Sequence, residues 1–143
     1  MTEFKLLGGK VKKESLPIVQ PSSTPDSRTL KRLMLPQGEL AQFYDGEEGV
    51  RYIAQIELQA GTVRGNHYHK IKKEWVYMMS GEVTLIVEDL EFKTRESVQL
   101  NSGDLAFIQT GVIHALQVTK SGQAIEFSTA RFDAADIYRH QLV

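Results

Sequence analysis

The sequence contains no cysteine. That excludes disulfides, thiolate metal sites and thiol nucleophiles, so any metal chemistry must use imidazole and carboxylate donors. It also lacks a long apolar run: no stretch approaches the roughly 20 residues that span a bilayer. The opening Met1–Lys10 segment offers only Phe4, Leu6 and Leu7, interrupted by Lys5, too little for the apolar region of a signal peptide. A charge excess of one sign is missing too. Seventeen Lys and Arg against eighteen Asp and Glu leave a formal net charge of −1, which argues against nucleic acid or an anionic membrane as a partner. A soluble, cytoplasmic protein is expected. Helical periodicity is nearly absent, and three of the four prolines (Pro17, Pro21, Pro25) crowd into one polar segment that reads as loop or extended arm.

What is present is a series of short alternating segments. Tyr52, Ala54, Ile56 and Leu58 alternate with polar partners, as do Val83, Leu85 and Val87. Further strands are expected around 29–35, 67–69, 74–79, 97–100, 105–108, 113–119 and 124–129, separated by turn signals such as Asp45-Gly46 and Asn101-Ser-Gly-Asp104. This pattern predicts one all-β domain, an antiparallel sandwich or barrel. The expected division is an N-terminal arm and edge strand over 1–35 and the barrel over 36–143. The tail from Asp133 to His140 has the pattern of one or two helical turns.

The chemistry concentrates in Gly61–Gly81. His67 and His69, one residue apart on a strand, point to one face, and Glu74 follows after a short turn. A second stretch, Gly103–His114, repeats a glycine before a histidine-bearing strand. Three of the four histidines lie in these two stretches. Three imidazoles and a carboxylate suit a divalent transition ion and leave coordination positions open. Without an ion, His67 or His69 could act as a general base. His140 lies outside both stretches and reads as solvated.

Gly61-x5-His67-x-His69-x4-Glu74-x6-Gly81 matches the first motif of the cupin superfamily, and Gly103-x5-Gln109-x-Gly111-x2-His114-x3-Val118 resembles the second. Gln109 stands where proline is usual and Val118 where asparagine is usual; neither is a ligand position in that family. The resemblance implies a double-stranded β-helix, or jelly roll, with His67, His69, Glu74 and His114 binding one divalent ion (Zn, Fe, Mn or Ni) inside the barrel mouth. It also implies a homodimer, with the N-terminal arm a candidate for exchange between subunits.

Arg64, three residues before His67, resembles an arginine of dTDP-4-dehydrorhamnose 3,5-epimerases and sugar 3,4-ketoisomerases that attends a diphosphate. It also resembles one in oxalate decarboxylases that holds a carboxylate. Either role pairs a planar guanidinium with an oxyanion. Gly65–His69, Lys73-Glu74 and the tail from Phe132 to Val143 are similar to the C-terminal cupin of capsular-polysaccharide sugar-nucleotide reductases.

These likenesses imply a small anionic substrate, first of all a sugar nucleotide that is epimerised or isomerised. A Mn- or Fe-dependent oxidase, dioxygenase or decarboxylase of a small carboxylate is the alternative, and a non-enzymatic ligand-binding or sensing protein the third. Lys70, Lys72 and Lys73 read as a solvated hairpin. Tyr68, Trp75 and Tyr77 alternate against the ligands and are expected to face away from the site, while Val76 and Met78 line the interior.

Overall fold

A computed structural model describes residues 2–24 and 26–143. The chain opens with a hairpin, β1 (Thr2–Leu6) and β2 (Val11–Ser15), joined through a single 3-10 turn at Leu7–Gly9. Three short strands follow, β3 (Ile18–Val19), β4 (Lys31–Leu35) and β5 (Gly38–Gln42). The main series is β6 (Tyr52–Leu58), β7 (Val63–Tyr68), β8 (Glu74–Met78), β9 (Glu82–Asp89), β10 (Arg95–Asn101), β11 (Asp104–Ile108), β12 (Val112–Lys120) and β13 (Gly122–Ser128). A 3-10 turn at Ala134–Asp136 and the short β14 (Tyr138–Arg139) complete the tail.

Two sheets make the jelly roll. One has six strands in the order β1-β2-β11-β8-β13-β6, and the other five in the order β10-β9-β12-β7-β14. Strand alternation decides what lies between them. Val83, Leu85 and Val87 of β9, Val76 and Met78 of β8, Leu116 and Val118 of β12, and Ile56 and Leu58 of β6 form one continuous buried core. Each such side chain contributes roughly 1.5–3 kcal/mol through removal from water. The third sheet, β3-β4-β5, lies apart from this pair. Its segment supplies Leu16, Leu30, Ala41, Phe43 and Tyr44 to a second apolar layer built on Trp75, Tyr77, Leu105 and Phe127. Phe43 stacks on Tyr77 at 4.3 Å between ring centroids. Trp75 and Tyr77 therefore do face away from the barrel interior, into a layer formed by this same chain.

Two expectations change. The segment expected as an arm divides: residues 2–15 form a hairpin hydrogen-bonded to β11 through β2, with Leu6, Leu7 and Val11 buried. The lysines that make this stretch look like a solvated arm leave its few apolar residues to reach the core. Lys31–Leu35 is not an edge but the middle strand of the small sheet. In the tail, the expected one or two helical turns are a single 3-10 turn at Ala134–Asp136, after which Tyr138 and Arg139 pair with Tyr68 and His67 and extend the backbone.

Candidate metal centre and its cavity

The local backbone brings the histidines together. His67 on β7 sits directly opposite His114 on β12, and the register shifts between His114 and Ala115. Gly65 has φ of +91°, and a Cβ there would stand 2.7 Å from the His114 carbonyl oxygen, so only glycine allows the two strands this close. Asn66 is also left-handed, with φ of +55°. Its Oδ1 accepts the amides of Leu142 and Val143 and its carbonyl accepts that of His140, which ties the tail across β7. His69 follows β7, with its carbonyl pinned by the Gly111 N–H at 2.8 Å. Glu74 opens β8 on the facing sheet.

One potential ligand atom from each of His67, His69, Glu74 and His114 lies within 4.8 Å of the others. His69 Nδ1–H donates to the Asp136 carbonyl at 2.8 Å and His114 Nδ1–H to the Val112 carbonyl at 3.0 Å. Both rings thereby turn Nε2 toward Glu74 Oε1, at 3.9 Å from His69 and 2.9 Å from His114. His67 Nδ1 and His69 Nε2 are buried without a hydrogen-bond partner. Unpartnered buried nitrogens, neutral-type orientation by backbone carbonyls and a single carboxylate fit a divalent transition ion.

The protein's own charges agree with this geometry. Burial pushes the Glu74 carboxyl up, but His114 beside it, then Lys72 and His69, hold it well below the usual carboxylate range. Burial disfavours a charged His114, yet the Glu74 carboxylate beside it raises its pKa. Burial lowers His67 to about 4, helped by His114 and His69, and lowers His69 as well. Both are neutral near pH 7 and keep a lone pair to offer.

Beside the donors lies a cavity of about 340 Å³, lined by His67, Glu74, His114, Arg64 and Glu126 among aliphatic side chains. Arg64 is exposed at its edge, with Nη1 donating to the Glu57 carbonyl at 3.3 Å. His140 stays 43% exposed and outside the cluster, as expected.

Four residues escaped the reading of the sequence. Lys72 is not solvated: its side chain is 11% exposed, its Nζ lies 3.3 Å from Glu74 Oε2 and 4.8 Å from the centre of the Tyr52 ring. The Tyr52 hydroxyl donates to Glu126 Oε1 at 3.4 Å. Burial, and then the Glu74 carboxylate, raise the Glu126 carboxyl. Asp136 accepts the amides of Lys70, Ile71 and Lys72 on its carboxylate while its carbonyl orients His69. The alternation Ala124-x-Glu126-x-Ser128 could have exposed Glu126, but the larger Ile125 and Phe127 on the other face look like the core side. Gln109, where proline is usual, uses its N–H to donate to the Lys10 carbonyl at 2.9 Å, a bond proline cannot make.

A family model described as the cupin domain matches residues 54–128, just over half of the chain. No curated protein sequence matches it. Among solved structures, the chain is similar to the TDP-quinovose 3,4-ketoisomerase of Campylobacter jejuni, with a TM-score of 0.69 and 20% identity over 78% of this chain and 89% of that one. It is similar to the dTDP-4-dehydrorhamnose 3,5-epimerase of Sulfolobus tokodaii, with a TM-score of 0.72 and 18% identity over 94% and 79%. A capsular polysaccharide assembling protein of Staphylococcus aureus gives a TM-score of 0.58 and 20% identity over 63% of this chain and 26% of the other. At these identities the likeness is one of fold.

Proposed function

The chain belongs to the cupin family, and from that premise we propose that it is a metal-binding enzyme that isomerises or epimerises a sugar nucleotide. His67, His69, Glu74 and His114 hold one divalent ion, and Arg64 anchors the anionic end of the substrate. The observation that carries this reading is the convergence of His67, His69, Glu74 and His114, three of them buried and His67 half-buried, beside a cavity that also has a guanidinium at its edge. The folds shared with a ketoisomerase and an epimerase of nucleotide-linked sugars direct the choice of substrate class.

A bound divalent ion supplies Lewis acidity to a substrate carbonyl, which eases loss of a proton from the neighbouring carbon. The chain's own part is to bind and orient. Arg64 forms charge-assisted hydrogen bonds with phosphate oxygens. The aliphatic walls, with Val76, Ile108 and Leu116, keep water from the sugar ring. Lys72 holds Glu74 Oε2, which leaves Oε1 to face the histidines. A homodimer and a cytoplasmic location belong to the same reading.

The test uses untagged protein. Metal content is measured by inductively coupled plasma mass spectrometry. The metal-loaded protein is then incubated in heavy water with dTDP- and UDP-linked 4-keto-6-deoxy sugars, and deuterium at the sugar carbons is read by NMR. About one ion per chain together with deuterium uptake supports the proposal. No uptake across the panel at full metal loading overturns the enzymatic part, and no ion after reconstitution with Zn, Fe, Mn or Ni overturns the ligand set.

A further inference from the structure

With four donors assigned to an ion and Arg64 to the substrate's anionic end, the cavity wall keeps one side chain able to take up and return a proton. Among the described residues that line it, the others are aliphatic or glycine. That side chain is Glu126. It stands on the inner face of β13, paired with Val76 of β8 and Ala54 of β6. His67 and His114 approach from the opposite sheet. A substrate in the cavity would therefore have His67 and His114 on one side and the Glu126 carboxyl on the other, on the same wall as Glu74. The carboxyl is also held in place: the Tyr52 hydroxyl donates to Oε1, and Lys72 packs over the Tyr52 ring.

We propose that Glu126 is the catalytic acid–base group of this site and that it works on one face of the sugar, exchanging a carbonyl with the neighbouring carbinol. The inference rests on the sugar-nucleotide reading above and adds the residue and the reaction type to it. Glu126 as carboxylate takes the proton from the carbinol carbon. The electron pair of that C–H bond forms a carbon–carbon double bond, and the carbonyl π pair moves onto its oxygen. The hydroxyl proton passes to that oxygen, the new carbonyl forms, and Glu126 returns its proton to the former carbonyl carbon. Inversion at a single carbon needs a second proton carrier on the opposite face, where the lining offers only the ligand histidines His67 and His114. One carboxyl on one face matches a carbonyl shift.

The test compares wild type with Glu126→Gln and Glu126→Ala on the same keto-sugar panel in heavy water. Gln is nearly isosteric and its amide oxygen still accepts from Tyr52, so the fold is expected to persist. Wild type should move the carbonyl to the adjacent carbon and incorporate deuterium there. Glu126→Gln should keep its metal content and its KM within about threefold while kcat falls about a hundredfold or more. Added formate should restore turnover to Glu126→Ala. Exchange by Glu126→Gln within about threefold of wild type overturns the inference and leaves the sugar-nucleotide reading standing. So does loss of metal or substrate binding in both variants, which would make Glu126 structural, and so does an epimerised product without a carbonyl shift. Absence of exchange in the wild type overturns both readings together.

Discussion

The two ends of the barrel interior are built from the same strands and differ in everything else. β8 runs inward as Glu74, Val76 and Met78, and β12 as His114, Leu116 and Val118. Four positions along β8, from Glu74 to Met78, thus separate a buried carboxylate–imidazole pair from a side chain with no exposed surface at all. At the closed end, stability comes from apolar burial and close packing. At the mouth, polar groups leave water at a cost that hydrogen bonds and opposite charge must offset. Alternation dictates which face a residue takes; only depth along the barrel decides whether that face carries chemistry or core. A rigid oily end also holds the strands that aim the ligands.

The sharpest way to separate the ends is to remove two donors. His67→Ala combined with Glu74→Ala should reduce bound metal from about one ion per chain to about none and abolish turnover, while circular dichroism retains the β spectrum. Retention of stoichiometric metal would break the proposed ligand set. The reverse experiment is Met78→Ala, fully buried at the closed end. It should cost about 2–5 kcal/mol in urea unfolding and leave metal stoichiometry unchanged. Loss of metal with little loss of stability would show that the ends are not independent.

A smaller effect is expected where the tail supports the mouth. Asp136→Asn weakens the acceptor of three turn amides next to the carbonyl that orients His69. Metal affinity should fall about 10–100-fold with little change at the core. Affinity unchanged in a competition titration would remove the tail from the site.

The smallest effect is one of pH on protein stripped of metal. His67 titrates near 4 when folded and near its ordinary 6.5 when unfolded, so between these values the unfolded chain binds more protons and stability rises with pH. His69 acts in the same direction. The depressed Glu74 adds to the acid side, since its contribution is lost as pH falls below its ordinary value. The raised His114 acts oppositely: its contribution is complete below about 6.5 and fades as pH rises through its folded value. Urea midpoints should therefore climb from pH 4.5 to 6.5, and His67→Ala should flatten that limb. A limb of the same slope in His67→Ala would exclude His67 as its source.

Much of this was legible in the chain itself. Gly61, His67, His69, Glu74, Gly103 and His114 carry their meaning in spacing, because strand geometry turns a two-residue interval into one face and a turn into a return. Tyr68, Trp75 and Tyr77 could be turned away from the ligands on the same ground, and the Val83-Leu85-Val87 alternation marked a core strand. Lys72, Glu126 and Asp136 were not legible. Lys72 looks like its neighbours Lys70 and Lys73, and only the third dimension sets its ammonium beside Glu74. Glu126 alternates with Ile125 and Phe127, and because both faces of the six-stranded sheet are covered, hydrophobicity does not tell which of them is the barrel side. Asp136 acts 64–67 residues from the groups it holds.

The sequence by itself determined an all-β domain and the ligand types available to it, since these depend on local period and side-chain chemistry, while the likeness of its two motifs to those of cupins marked His67, His69, Glu74 and His114 as the residues to meet. The tertiary structure alone decided that residues 2–15 join the main sheet, that the outer face of β8 and β13 is a second core, and that a lysine, a tyrosine and a glutamate complete the mouth. Those outcomes depend on which strands become neighbours, and strand pairing is set by long-range burial that no local pattern encodes.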